Sequence, residues 1–151
     1  MATQPKYPEQ WERIRRWYLR FEETSQGKLH DKQSDFYQDD VYAFFMNCYH
    51  LKDWIKNDPT AFALSAKVET FISNVPEMAL CADICNGLKH LVLTKPRSPE
   101  NPRFGKRLFK VGVGTQPTTI DVEYTIDTES GPIDAFNLAT KCMEAWQAFL
   151  R

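Results

Sequence analysis

The stretch "DVYAFFMNCYHLKDWIKND", residues 40–58, constrains the fold more than any other part of the chain. Val41, Phe44, Cys48, Leu51 and Ile55 recur at helical spacing and make one apolar face. Tyr42, Phe45, Met46 and Tyr49 make a second face, roughly opposite the first. A helix apolar on two sides belongs at the centre of a bundle, or contributes to an oligomer interface as well. His50 and Asp53 lie one turn apart at the edge of the second face.

Helical patterns surround this segment. Trp11, Ile14, Trp17, Tyr18 and Phe21 predict a first helix over about Pro8–Thr24, stopped by Gly27. Its outer face carries Arg13, Arg15, Arg16 and Arg20, with Glu9–Arg13 and Glu12–Arg16 in the favourable orientation. The polar run "KLHDKQSDFYQDD" supplies a helix start near Asp39 or Asp40. "TAFALSAKVETFISNV" predicts a third helix, and Pro76 opens a fourth that ends near "TKP".

Beyond it the chain changes character. "TKPRSPENPRFGKRLFK" holds three prolines, six basic residues and one acid, Glu100. "LFKVGVG" and "TTIDVEYTI" then alternate with period two, as a β-hairpin does. Phe109, Val111 and Val113 face Ile120, Val122 and Tyr124, while Lys110 shares the other face with Asp121 and Glu123. Gly131-Pro132 starts a last helix that turns Ile133, Phe136, Met143, Trp146 and Leu150 inward. The expectation is one all-α domain over residues 1–151, a four- to five-helix bundle. Residues 94–131, the basic loop plus hairpin, are inserted before the final helix.

Composition narrows the function classes. A chain of 151 residues with 42% hydrophobic and 13% aromatic residues buries a core without disulfides or metals. A net charge of -1 gives no whole-protein pull towards nucleic acid or membrane, so any such targeting is local. The first residues hold no apolar signal region and no run approaches a membrane span, so a soluble, cytoplasmic protein is expected. Cys48, Cys81, Cys85 and Cys142 sit at apolar helix positions without a CxxC pair, which reads as buried, reduced thiols.

"CADICNGLKHLVL", residues 81–93, poses the functional question. Leu80, Ile84, Leu88 and Leu91 define the core face of helix four, with Asp83, Asn86 and His90 on the far side and Lys89 a little further round. Polar residues opposite an apolar stripe are ordinarily solvated. Two details point instead to a cleft. Ala79, Ala82 and Gly87 are interleaved with the polar residues and let another helix approach, and a mid-helix glycine costs roughly 1 kcal/mol against alanine. The basic loop also leaves the helix just beyond His90. Its Lys95, Arg97, Arg103, Lys106 and Arg107 have only Glu100 nearby in sequence and suit phosphates.

"CNGLKH" resembles the motif of the HEPN superfamily, helical bundles that carry Arg-Asn followed by three residues and His. Asn86 and His90 match in type and spacing, and the motif's Arg falls at Cys85. The resemblance covers helices two to four. It implies an RNA-directed homodimer, with a composite ribonuclease site that needs no metal or other cofactor. His90 would be general acid or base, since an ordinary histidine titrates near neutrality. Asn86 would position the phosphate, Lys89 would add positive charge without the fork geometry of arginine, and Asp83, Asp53 or His50 would support them. With cysteine in place of the motif's Arg, a non-catalytic module of the same fold that binds a protein partner is the alternative.

Other chemistries fit less well. His50, Asp53, Asp83 and His90 have metal-ligand types but no metal-site spacing. Cys85 points to the core, over a quarter-turn from His90, so the two make no thiol–imidazole pair. Gly112 and Gly114 belong to a strand end and turn, with no helix following to make a dinucleotide fingerprint.

Overall fold

The computed structural model describes residues 2–112 and 118–151; Val113 and Gly114, assigned above to the hairpin, lie outside them. In chain order the elements are α1 (Tyr7–Gln26), β1 (Lys28–Leu29), α2 (Ser34–Asn57), α3 (Phe62–Asn74), α4 (Pro76–His90), β2 (Arg103–Val111), β3 (Thr119–Thr128), β4 (Gly131–Asp134) and α5 (Ala135–Phe149). The fold is therefore mixed α/β rather than all-α: five helices pack with a four-stranded antiparallel sheet.

The expected hairpin is the heart of that sheet. Phe109 pairs with Val122 and Val111 with Ile120, as the alternation predicts, and Lys110 Nζ lies 3.4 Å from Glu123 Oε1 on the other face. Two short strands extend it. β1 pairs Lys28 with Ile120, and β4 pairs Ile133 with Ile126, so both lie along the edge of β3 that β2 does not occupy. Gly131-Pro132 thus belongs to β4 rather than to a helix. α5 begins only at Ala135, where Asp134 caps it by accepting the Asn137 N–H at 2.9 Å. Between Phe104 and Arg107 the β2 register slips, and Gly105 and Lys106 face the single residue Thr125. A Cβ on Gly105 would stand 2.6 Å from the Asp127 carboxylate, so a larger residue there requires that side chain to shift.

The two apolar faces of α2 are both used within the chain. Val41, Phe44, Phe45, Cys48, Leu51 and Ile55 are fully buried, and α1, α3, α4 and α5 surround the helix. The inner face of β3, Ile120, Val122, Tyr124 and Ile126, closes the core against α1 and α5. α2 starts at Ser34, about a turn and a half before Asp39. Tyr37 is buried there, and its hydroxyl accepts the Asp31 and Lys32 main-chain N–H groups at 3.1 and 3.0 Å.

Asp58 secures the other end of α2 and the start of α1 together. Its carboxylate accepts the Lys6 and Tyr7 N–H groups at 2.6 and 2.9 Å and the Thr60 hydroxyl at 2.7 Å. On the surface of α1, Glu9 pairs with Arg13 as expected, whereas Glu12 pairs with Arg15 rather than Arg16. Among the described residues, no helix is long and apolar enough to cross a membrane.

Candidate functional site

α4 runs from the core to the surface, and that passage divides the residues of its motif. In the first three turns Met78, Ala79, Cys81, Ala82, Asp83, Ile84 and Cys85 are buried, with α2, α3 and α5 packed around the helix. In the last turns Asn86 and Gly87 are partly exposed, and Lys89 and His90 are exposed. The helix stops at His90, short of the expected "TKP". Leu91 turns the chain at φ 65 and ψ -36. Leu91 is accordingly 92% exposed, not on the core face, and Val92 is 61% exposed.

Asn86 and His90 line one small cleft with Val92, Leu93, Thr94 and Lys95, of about 170 Å³. Enclosed small-molecule pockets start near roughly 300 Å³, so this space suits one anionic group of a larger ligand. No hydrogen bond within the described residues fixes the side chains of Asn86, Lys89 or His90. Lys89 and His90 also lie where the helix dipole favours positive charge. The cleft's imidazole, amide and one ammonium group can bind a phosphodiester and move a proton.

Asp83 has another task. It is fully buried, and its carboxylate accepts the Arg97 N–H at 2.7 Å, the Ser98 N–H at 3.0 Å and the Ser98 hydroxyl at 2.8 Å. It anchors the loop after α4 and is removed from the cleft. Arg97 is spent in the same place: its guanidinium reaches Glu69 at 2.7 Å, Ser73 at 3.1 Å and the Tyr49 hydroxyl at 3.2 Å. Lys52 joins the Tyr49 hydroxyl at 3.1 Å, and Lys56 joins Glu69 at 2.9 Å. Burial raises the Glu69 pKa, but hydrogen bonds from Lys56 and Arg97 and the charge of Lys52 outweigh it and hold the carboxyl at about 2.

The sequence holds no sign of this network, because its parts come from α2, α3 and the loop. Only the pairs within one helix, Tyr49–Lys52 and Lys52–Lys56 on α2 and Glu69–Ser73 on α3, are neighbours by spacing.

The basic run is correspondingly smaller as a surface. Arg107 reaches the side-chain oxygen of Gln38, and Arg103 stands opposite Asp127 in the strand register. Lys95 and Lys106 stay exposed and form no ion pair among the described residues.

His50 and Asp53 are exposed on α2, with Asp53 3.7 Å from Lys52. Neither hydrogen-bonds Asp83, Asn86 or His90. Helix two therefore contributes packing here, not support for the cleft. His50, Asp53, Asp83 and His90 do not converge, so they make no metal site. The one group of three convergent ligand types among the described residues is Cys48, Cys81 and Cys142, in the core.

The small residues also divide. Ala79 and Ala82 are buried within the chain, so they are not a free docking stripe. Gly87 is open: a Cβ added there meets nothing within 4 Å. Cys85, at the position of the motif's Arg, is buried. Burial first, and then the neighbouring Cys48, push its thiol up to about 11 against the charges of Lys89 and Lys52, so it brings no charge to the cleft.

Comparison with protein-family models, with curated proteins and with solved structures gave no match.

Proposed function

We propose that the protein is an RNA-directed, HEPN-like module whose half-site is the exposed end of α4. The reading rests on one observation: Asn86 and His90 share an open cleft with Lys95, while the buried polar group of the same helix, Asp83, is committed elsewhere. A phosphodiester seated in that cleft meets an amide donor from Asn86 and the ammonium group of Lys95, with Lys89 beside it on the same exposed turn. His90 takes the proton of a ribose 2′-hydroxyl as that oxygen attacks phosphorus and the bond to the 5′-oxygen breaks. The leaving oxygen needs a proton from a second acid. One chain brings a single histidine to the cleft, so catalysis calls for a second copy, whose His90 supplies that proton.

A second reading has its own support. The uncharged, buried Cys85 leaves the half-site without the arginine that the resembled motif uses, which favours a module that binds RNA or a protein partner without cutting.

Incubating the purified protein with mixed RNA, with and without chelator, separates the two. Chelator-resistant cleavage that is lost in His90→Ala supports the ribonuclease. A salt-sensitive complex without cleavage, weakened in the Lys89→Gln, Lys95→Gln double variant, supports the binding module. The absence of both cleavage and binding would remove the RNA reading.

A further inference from the structure

Three helices each send one cysteine to the same point of the core. Cys48 of α2, Cys81 of α4 and Cys142 of α5 are fully buried, and their sulfurs lie within 4.8 Å of one another. The Cys81 thiol donates to the Phe45 carbonyl at 3.6 Å, and the Cys142 thiol to the Glu77 carbonyl at 3.5 Å. The Trp146 indole N–H donates to the Cys48 carbonyl at 3.0 Å. Bonds of about 2.3 Å to three thiolates hold the sulfurs roughly 3.5–4 Å apart, the shorter spacing belonging to a pyramidal centre such as arsenic(III). The cluster reaches that spacing by contracting roughly 1 Å.

The surroundings bound the charge of what could bind. Among the described residues the buried polar side chains are Gln10, Thr24, Asp58 and Asp83, and none is cationic. Three thiolates around a monovalent ion would leave two negative charges in the core, and around a divalent ion one. An uncompensated buried charge costs several kcal/mol. Around a trivalent ion the charge is zero.

We propose that Cys48, Cys81 and Cys142 form a buried three-sulfur site for a soft, thiophilic trivalent ion, for which arsenite is the probe. The chemistry balances without an oxidant. Neutral arsenous acid has three As–O bonds; each breaks as an As–S bond forms, and each thiol proton leaves with a hydroxide as water. Three neutral thiols and one neutral acid give a neutral trithiolate and three waters. Cys85, one turn beyond Cys81, lies outside the group and serves as an internal control.

The sulfurs are sealed from solvent, so loading requires the core to open, slowly in the native chain and freely during refolding. The test uses the full chain, reduced, and refolded from urea with arsenite, zinc(II) or copper(I), followed by intact mass spectrometry and thiol alkylation. The expected product carries one arsenic in place of three hydrogens, keeps one alkylatable thiol and melts higher than the free protein. Cys48→Ala, Cys81→Ala and Cys142→Ala should each lose that adduct, and Cys85→Ala should keep it. Circular dichroism of each variant separates loss of a ligand from loss of the fold, and Cys48→Ser repeats the first variant with a smaller change in volume.

No adduct in the refolded wild type would overturn the site, as would an adduct that survives replacement of any one of the three. Tighter retention of zinc(II) or copper(I) would overturn the trivalent assignment. Loss of two hydrogens without an adduct would assign the cluster to a disulfide instead.

Discussion

The carboxylate of Asp83, fully buried on α4, accepts the main-chain N–H of Arg97 at 2.7 Å. The same Arg97 sends its guanidinium outward to Glu69, Tyr49 and Ser73. One residue thereby joins the loop after α4 to three helices. Hydrogen bonds to a charged group contribute about 1.5–3 kcal/mol each, and their loss leaves buried donors unpaired. Asp83→Ala should cost about 3 kcal/mol in urea denaturation and expose the Arg97–Ser98 bond to trypsin. Asp83→Asn should cost less, since its amide oxygen still accepts one of the N–H groups. Unchanged stability and unchanged trypsin resistance in both variants would show that the loop is held by other contacts.

Tyr124 makes the opposite case. Its hydroxyl is buried and has no hydrogen-bond partner among the described residues. Burial is the first cause holding the phenol in its neutral form, against the charge of Arg107. An unsatisfied buried hydroxyl costs about 1–3 kcal/mol. Tyr124→Phe removes it without opening a cavity, so the variant should be more stable by about 1 kcal/mol. A higher melting temperature checks this, and a lower one would mean that the hydroxyl has found a partner in solution.

The sequence carries the local part of this fold well. Helical spacing locates α1, α3 and α5, the two-faced pattern marks α2 as central, and alternation sets the β2–β3 register. What it hides is long-range. β1 is two residues long and β4 contains Pro132, so neither has a strand pattern apart from the edge of β3 they share. Asp83 reads as a surface residue on a helical wheel because a wheel takes no account of a loop folding back over it. The outward position of Asn86 and His90 is legible because the last turn of α4 does face outward, as an isolated helix would. The thiol cluster was hidden for a related reason: each cysteine reads as ordinary apolar packing until three helices are rotated against one another.

Glu69 should give the stability an acid limb. Its folded pKa of about 2 lies below the ordinary 4.5. Its contribution is therefore complete above about pH 4.5 and disappears as the pH falls towards about 2. Asp58 is likewise held below the usual range, chiefly by the Thr60 hydroxyl, and adds to the same limb. Glu69→Gln should flatten only part of the slope, by under about 1 kcal/mol because the group is half-exposed and screened by salt. Urea midpoints above and below pH 4, at low and high salt, measure it. A slope identical to that of the wild type would detach Glu69 from acid stability.

Gly87 separates the monomer from any assembly. It lies in the helical part of α4 with open space beside it, so Gly87→Ala should stabilise the isolated chain by about 0.5–1 kcal/mol. Gly87→Leu should fold equally well. If two copies meet at the end of α4, the leucine blocks them, and sedimentation should show a weaker dimer at unchanged monomer stability. A destabilised Gly87→Ala monomer would contradict the open geometry.

The shared edge of β3 sets an order of events for a chain made from its N-terminus. Lys28 is synthesised about 90 residues before its partner Ile120, and so is the helix–strand junction that rests on that pairing. Until the later elements emerge, α1 and α2 can meet, but Phe45 lacks its ring contact with Phe104 of β2, and Phe21 its contact with Phe136 of α5. At about 5–20 residues per second, that interval lasts roughly 5–20 seconds. The N-terminal helices must then stay unaggregated as a half-covered intermediate, and the final helix acts as the latch that ends their exposure.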